Sequence, residues 1–189
     1  MRTSFLAISL LLVSAGLPAQ TTPAQIKSDL RSALLGDWAG VLEYRDYSEP
    51  ATSTKRVTLP TWLSIADADP AKLKWQYVYD DGPTKTVEET DIVTFDPETS
   101  TYSEVDNAKP AQVFKVTGYD ALHSGRGTLV LTGSGTDNDK PSETRVTMKI
   151  QRNLIEIVEE TRPAGSTEAF VFRHAFRFTR AIAPGSKPR

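Results

Sequence analysis

Cysteine is absent from the 189 residues, so no disulfide, thiol nucleophile, cysteine metal ligand or lipid-attachment site can exist. Histidine is nearly absent as well, with only His123 and His174 present. Neither lies in an H-E-x-x-H or comparably spaced set, so a zinc site has no footing. Excess charge of either sign is missing too: 22 Lys and Arg stand against 24 Asp and Glu. That balance supplies no basic field for nucleic acid and no polybasic membrane patch. No apolar run reaches the roughly 20 residues a membrane-spanning helix needs. Internal repeats, a Gly-Ser or Pro-rich linker and a G-x-S-x-G nucleophile elbow are all lacking. The glycines at Gly125–Gly127 and Gly133–Gly135 have no Lys-Ser/Thr after them and read as strand ends or bulges, not a phosphate loop.

The N-terminus is the first positive signal. Met1-Arg2 is followed by an apolar run from Phe5 to Val13 and then by Ser14-Ala15-Gly16-Leu17-Pro18-Ala19. This charged, apolar, small-residue order is that of a secretory signal peptide, expected over residues 1–19. Cleavage after Ala15 also fits, but Ala19 fits better. The expected location is therefore secreted or periplasmic, with no membrane anchor left after cleavage.

Residues 20–189 read as a single domain. Thr22-Pro23-Ala24-Gln25 has the form of a helix start, with Thr as N-cap and Pro at the first helical position. Ile26, Leu30, Ala33 and Leu34 then recur at helical spacing, and Gly36 stands where a helix ends, which predicts a helix over 23–35. From Trp38 to Arg180 the pattern changes to period two. Trp38-x-Gly40-x-Leu42-x-Tyr44, Val57 to Ile65, Leu73-x-Trp75-x-Tyr77-x-Tyr79 and Val87 to Phe95 alternate as strands with one buried face. Thr101–Val105, Ala111–Thr117, Gly127–Gly133, Thr144–Ile150, Leu154–Thr161 and Phe170–Phe178 continue the series. About ten strands with short connections favour antiparallel neighbours. The expected fold is all-β: an antiparallel up-and-down barrel with one N-terminal helix closing an end and a short tail over 181–189.

The Gly36-Asp37-Trp38-Ala39-Gly40 stretch, opening the first strand after a short helix, resembles the G-x-W start of calycin barrels, the lipocalin and fatty-acid-binding type. In lipocalins an arginine at the end of the last strand packs over that tryptophan, and Arg180 holds the matching place here. Ten strands and the missing disulfide suit the fatty-acid-binding branch better. The resemblance implies an internal pocket for a small, mostly apolar molecule, with Trp38 and Arg180 in structural roles.

Candidate site residues follow from parity. On the last strand His174 alternates with Phe170, Phe172, Phe176 and Phe178, which are expected to face inward lest four phenylalanines form one exposed patch. A histidine inside such a wall is either a satisfied core group or a polar ligand anchor. Trp75, Tyr77 and Tyr79 share one face of another strand. Glu89 and Asp91 share parity with Val87, Val93 and Phe95, but whether that face is interior or solvated stays open, since a one-residue slip inverts it. His174, Tyr77, Tyr79, Glu89, Asp91, Trp75, Phe172 and Phe176 are thus the candidate ligand-binding residues. No residue is assigned a catalytic role, and no motif calls for a metal or cofactor. The acidic clusters at Asp67–Asp69, Asp80–Asp81 and Asp137–Asp139 lack the closing Glu of a calcium loop and read as turns. Three functions remain: a small-molecule-binding barrel, a filled barrel acting as an interaction module, and a barrel hydrolase or isomerase.

Overall fold

The computed structural model describes residues 21–50, 53–106 and 111–181. The expected leader over 1–19, and the tail beyond Ala181, lie outside the described residues. A helix, α1 (Pro23–Leu34), precedes ten strands. These are β1 (Gly36–Arg45), β2 (Arg56–Asp69), β3 (Lys72–Asp80), β4 (Thr86–Asp96) and β5 (Thr101–Asp106). The rest are β6 (Gln112–Thr117), β7 (Gly127–Asp137), β8 (Lys140–Ile150), β9 (Leu154–Pro163) and β10 (Val171–Arg180). Each strand pairs antiparallel with its sequence neighbour, and β1 pairs with β10, so the sheet closes into the expected up-and-down barrel.

Local chemistry accounts for the elements. The Thr22 hydroxyl accepts from the Gln25 amide, capping α1 directly ahead of Pro23. Gly36, at φ +120, takes the conformation that lets the chain leave the helix and enter β1. Asn138 and Asp139 both have positive φ, forming the two-residue turn between β7 and β8, where Asp and Asn are best tolerated. Alternation then fills the interior: Trp38, Leu63, Ile65, Trp75, Val93, Leu129, Met148, Ile150, Ile155 and Phe178 are each at most 2% exposed.

That dense layer occupies one end of the barrel, and α1 seals it with Ile26, Leu30, Ala33 and Leu34. Three consecutive carbonyls of the helix end are taken by the barrel. The Trp38 Nε1 donates to the Leu34 carbonyl at 2.9 Å, while the Arg180 guanidinium donates to those of Ala33 and Leu35 at 2.7 and 2.8 Å. The guanidinium also lies 4.1 Å above the Trp38 ring. Gly125 completes the seat. A Cβ there would stand 2.1 Å from the Asp29 carbonyl oxygen, so the helix rests directly on this turn.

One expectation is corrected. Phe170 and Phe172 do not face the interior. Phe172 pairs with Glu160 but His174 pairs with Glu159, so Arg173 is an extra residue that inverts the alternation. Phe172 lies outside beneath the Arg56 guanidinium at 4.5 Å, and Phe170 is sandwiched by Arg145 and Arg162 at 4.4 and 4.5 Å. Stacked guanidinium groups cover these rings, which disposes of the argument that they had to be inside.

Candidate functional site

Above the sealed layer the interior opens into a cavity of about 520 Å³. Its rim includes Tyr47 and Val87, 45% and 37% exposed, so the mouth lies at the end of the barrel opposite α1. Alternation along β3 sends Trp75, Tyr77 and Tyr79 into this space, and the paired register with β4 sets Asp91 opposite Trp75 and Glu89 opposite Tyr77. The face carrying Glu89 and Asp91 is therefore the interior one. His174 and Phe176 from β10 complete the candidate residues that line the cavity; Phe172 does not.

The walls are aromatic. Tyr77 and Tyr79 stack at 5.9 Å with planes 8° apart, and Phe176 lies 5.3 Å from Tyr77. His174 meets Phe176 edge-on at 5.5 Å. Its Nε2 is 3.6 Å from a Glu159 oxygen, beyond hydrogen-bond length. Burial, with the nearby Arg173 charge adding to it, holds the His174 pKa at about 4, only partly countered by Glu89. The imidazole is thus neutral at pH 7, and its approach to Glu159 is a polar contact, not an ion pair. Burial also raises the Glu159 carboxyl above its ordinary range; Arg173 opposes the shift and Asp137 adds to it.

Several lining groups were not among the candidates. Tyr102 and Glu104 enter from β5, with the Tyr102 hydroxyl donating to Glu104 at 2.7 Å, as Tyr79 does to Glu89 at 2.9 Å. Glu159 shares inward parity with Ile155 and Ile157 on β9, a signal present in the sequence. Arg173 had none, because only the bulge brings it beside His174. It donates to the Thr136 carbonyl at 2.8 Å and lies 3.4 Å from Glu159. The indole N–H of Trp75 is buried with no hydrogen-bond partner among the described residues. His123 is remote from the cavity, bridged to Arg126 in the turn beneath α1. Among the described residues no group of three or more His, Asp or Glu side chains is arranged to hold a metal ion.

No family model matches the chain, and no curated protein does. Among solved structures the chain is similar to the crystal structure of Rv2717c from M. tuberculosis, with a TM-score of 0.53 and 16% identity. The match covers 80% of this chain and 94% of that one, and it extends to the fold alone.

Proposed function

We propose that this is a secreted or periplasmic barrel of calycin type that binds a small, largely apolar molecule in its interior. The observation that carries the reading is the cavity: about 520 Å³, within the range of small-molecule sites, walled by Trp75, Tyr77, Tyr79 and Phe176. A barrel serving only as a scaffold gains stability by filling its interior, since each void forfeits packing contacts. This one is filled at the helix end and hollow at the other. The Trp38–Arg180 stack supports the calycin assignment, because it reproduces the arrangement that the G-x-W resemblance implies. A catalytic reading has less behind it: among the described residues His174, the cavity histidine, has no carboxylate within hydrogen-bond reach, Glu159 standing at 3.6 Å.

Native mass spectrometry of the protein purified from its own source tests the proposal. A retained small molecule, released on denaturation, is the expected result. Ligand-free protein that also fails to take up apolar fluorophores removes it.

A further inference from the structure

The bulge on β10 puts two consecutive residues, Arg173 and His174, into the cavity lining, where unbroken alternation would send one of them outward. Glu159 on β9 is within reach of both, 3.4 Å from the Arg173 guanidinium and 3.6 Å from His174 Nε2. Bulges re-aim side chains beside functional sites, and this one gathers a donor–acceptor cluster from two strands. The cluster is loose. On the outer face of β8, β9, β10 and β1 the ion pairs are tight, Arg145–Glu160 and Arg177–Glu43 at 2.8 Å and Arg162–Glu143 at 2.5 Å. Inside, no hydrogen bond among the described residues joins Glu159 to Arg173 or His174, and Arg173 donates to the Thr136 carbonyl instead. An ion pair held this way adds little stability over apolar side chains, so packing alone does not call for it.

Charge then selects the class of ligand. Arg173 offsets Glu159, and Asp137, whose charge also reaches Glu159, stands 3.9 Å from Arg45. His174 is neutral at pH 7. An anion placed at the cluster meets Glu159 and a cation meets Arg173, so either upsets the balance. Glu89, which acts on His174 from another part of the wall, weighs further against an anion. A neutral group with a donor and an acceptor side by side leaves the charges matched. Its N–H can donate to Glu159, and its carbonyl can accept from His174, since the carboxylate nearby favours the tautomer with its proton on Nε2. At 3.6 Å the two residues are too far apart to bond each other and close enough for one amide to reach both.

We propose that the cavity recognises a neutral amide or lactam on an apolar ring: its N–H donates to Glu159, its carbonyl accepts from His174, Arg173 balances the carboxylate, and the ring packs against Phe176 and Tyr77. This deepens the cavity-binding reading and rests on it. Four probes sharing one naphthalene body separate the two claims: 2-naphthamide, methyl 2-naphthoate, which lacks the N–H, anionic 2-naphthoate and cationic 2-naphthylmethylamine. In calorimetric titrations at pH 7, 2-naphthamide is expected to bind at least tenfold tighter than each of the others, because a site built for an N–H rejects the analogue without it. Glu159→Gln leaves Arg173 unbalanced, and should weaken 2-naphthamide while tightening 2-naphthoate at least fivefold. Arg173→Gln should instead tighten 2-naphthylmethylamine at least fivefold. These opposite gains cannot come from a general loss of folding. Equal affinity for the four probes, a preference for a charged one, or variants that weaken every probe alike overturns the amide proposal while leaving a binding cavity. Failure of all four to bind, or binding that persists when Leu42→Trp fills the cavity, removes both.

Discussion

Removing the Arg180 guanidinium should loosen the whole sealed end of the barrel. Its two short bonds to the carbonyls of Ala33 and Leu35 are charge-assisted, and such bonds contribute about 1.5–3 kcal/mol each when desolvated. The stack over Trp38 adds about 0.5–2 kcal/mol. Water reaches this partly exposed site in the variant and satisfies part of what is lost, so Arg180→Ala should cost about 3–5 kcal/mol in all. Arg180→Lys separates charge from shape. An ammonium keeps the favourable charge at the negative end of α1 but has no fork to reach two carbonyls, so the loss should be about 1–2 kcal/mol. Urea unfolding followed by tryptophan fluorescence and far-ultraviolet circular dichroism measures both, and hydrogen exchange should show α1 opening first in Arg180→Ala. A loss below about 1 kcal/mol for Arg180→Ala, or equal losses for the two variants, would refute the clasp.

Three further outcomes are expected. Gly40→Ala places a Cβ 1.9 Å from the Arg177 carbonyl oxygen and 2.8 Å from the Phe178 Cα, both backbone, so β1 and β10 must separate. A thermal melt should show a loss of about 3 kcal/mol or more, and an unchanged melting temperature would contradict the close approach. His174 titrates near 4 when folded against an ordinary 6.5, so the unfolded chain binds the extra proton first. The resulting penalty, up to about 3 kcal/mol, is absent above pH 6.5 and builds as pH falls towards 4. The raised Glu159 carboxyl acts in the opposite sense, favouring the fold as pH falls from its folded value to its ordinary one. His174→Phe should therefore flatten the decline in urea-unfolding stability between pH 6.5 and 4.5 while leaving pH 7 stability equal or higher, since the imidazole makes no hydrogen bond among the described residues. Finally, intact mass of exported protein should correspond to a chain beginning at Gln20; a mature product retaining Met1 rejects the leader.

The strand order and the seal were legible because period two and helical spacing leave unmistakable traces in apolar residues. Trp38 and Arg180 could be paired across the chain from a five-residue motif and the end of the last strand. Glu89 and Asp91 were harder. Thr86-Val87-Glu88-Glu89-Thr90-Asp91 has polar residues on both faces, so burial contrast could not set the register until the Val93 and Phe95 end was seen to be interior. Glu159 was within reach, two residues beyond Ile157 on the same face, but a carboxylate is not the residue that hydrophobic alternation looks for. Phe172 was misplaced because one extra residue at Arg173 inverts the pattern, and Val171-Phe172-Arg173-His174 carries no glycine or proline to announce a bulge. The cavity itself depends on how far side chains reach across the barrel, and no local pattern encodes that.

The seam between β1 and β10 also sets the order in which the molecule can be made. Ala39 and Thr179, joined across it by a hydrogen bond, are 140 positions apart. Every other ladder joins sequence neighbours through a short connection, whereas this one must bring together the first and last strands and bear the entropy of closing nearly the whole chain. Folding should therefore be slow and nearly all-or-none, with the seam as its final step. A chain stopped before Val171 would present β1 and β9 as two open edges, ready to pair with those of another copy. If the chain is exported unfolded, as proposed, it gains from such an arrangement, because no prefix lacking β10 can complete the barrel.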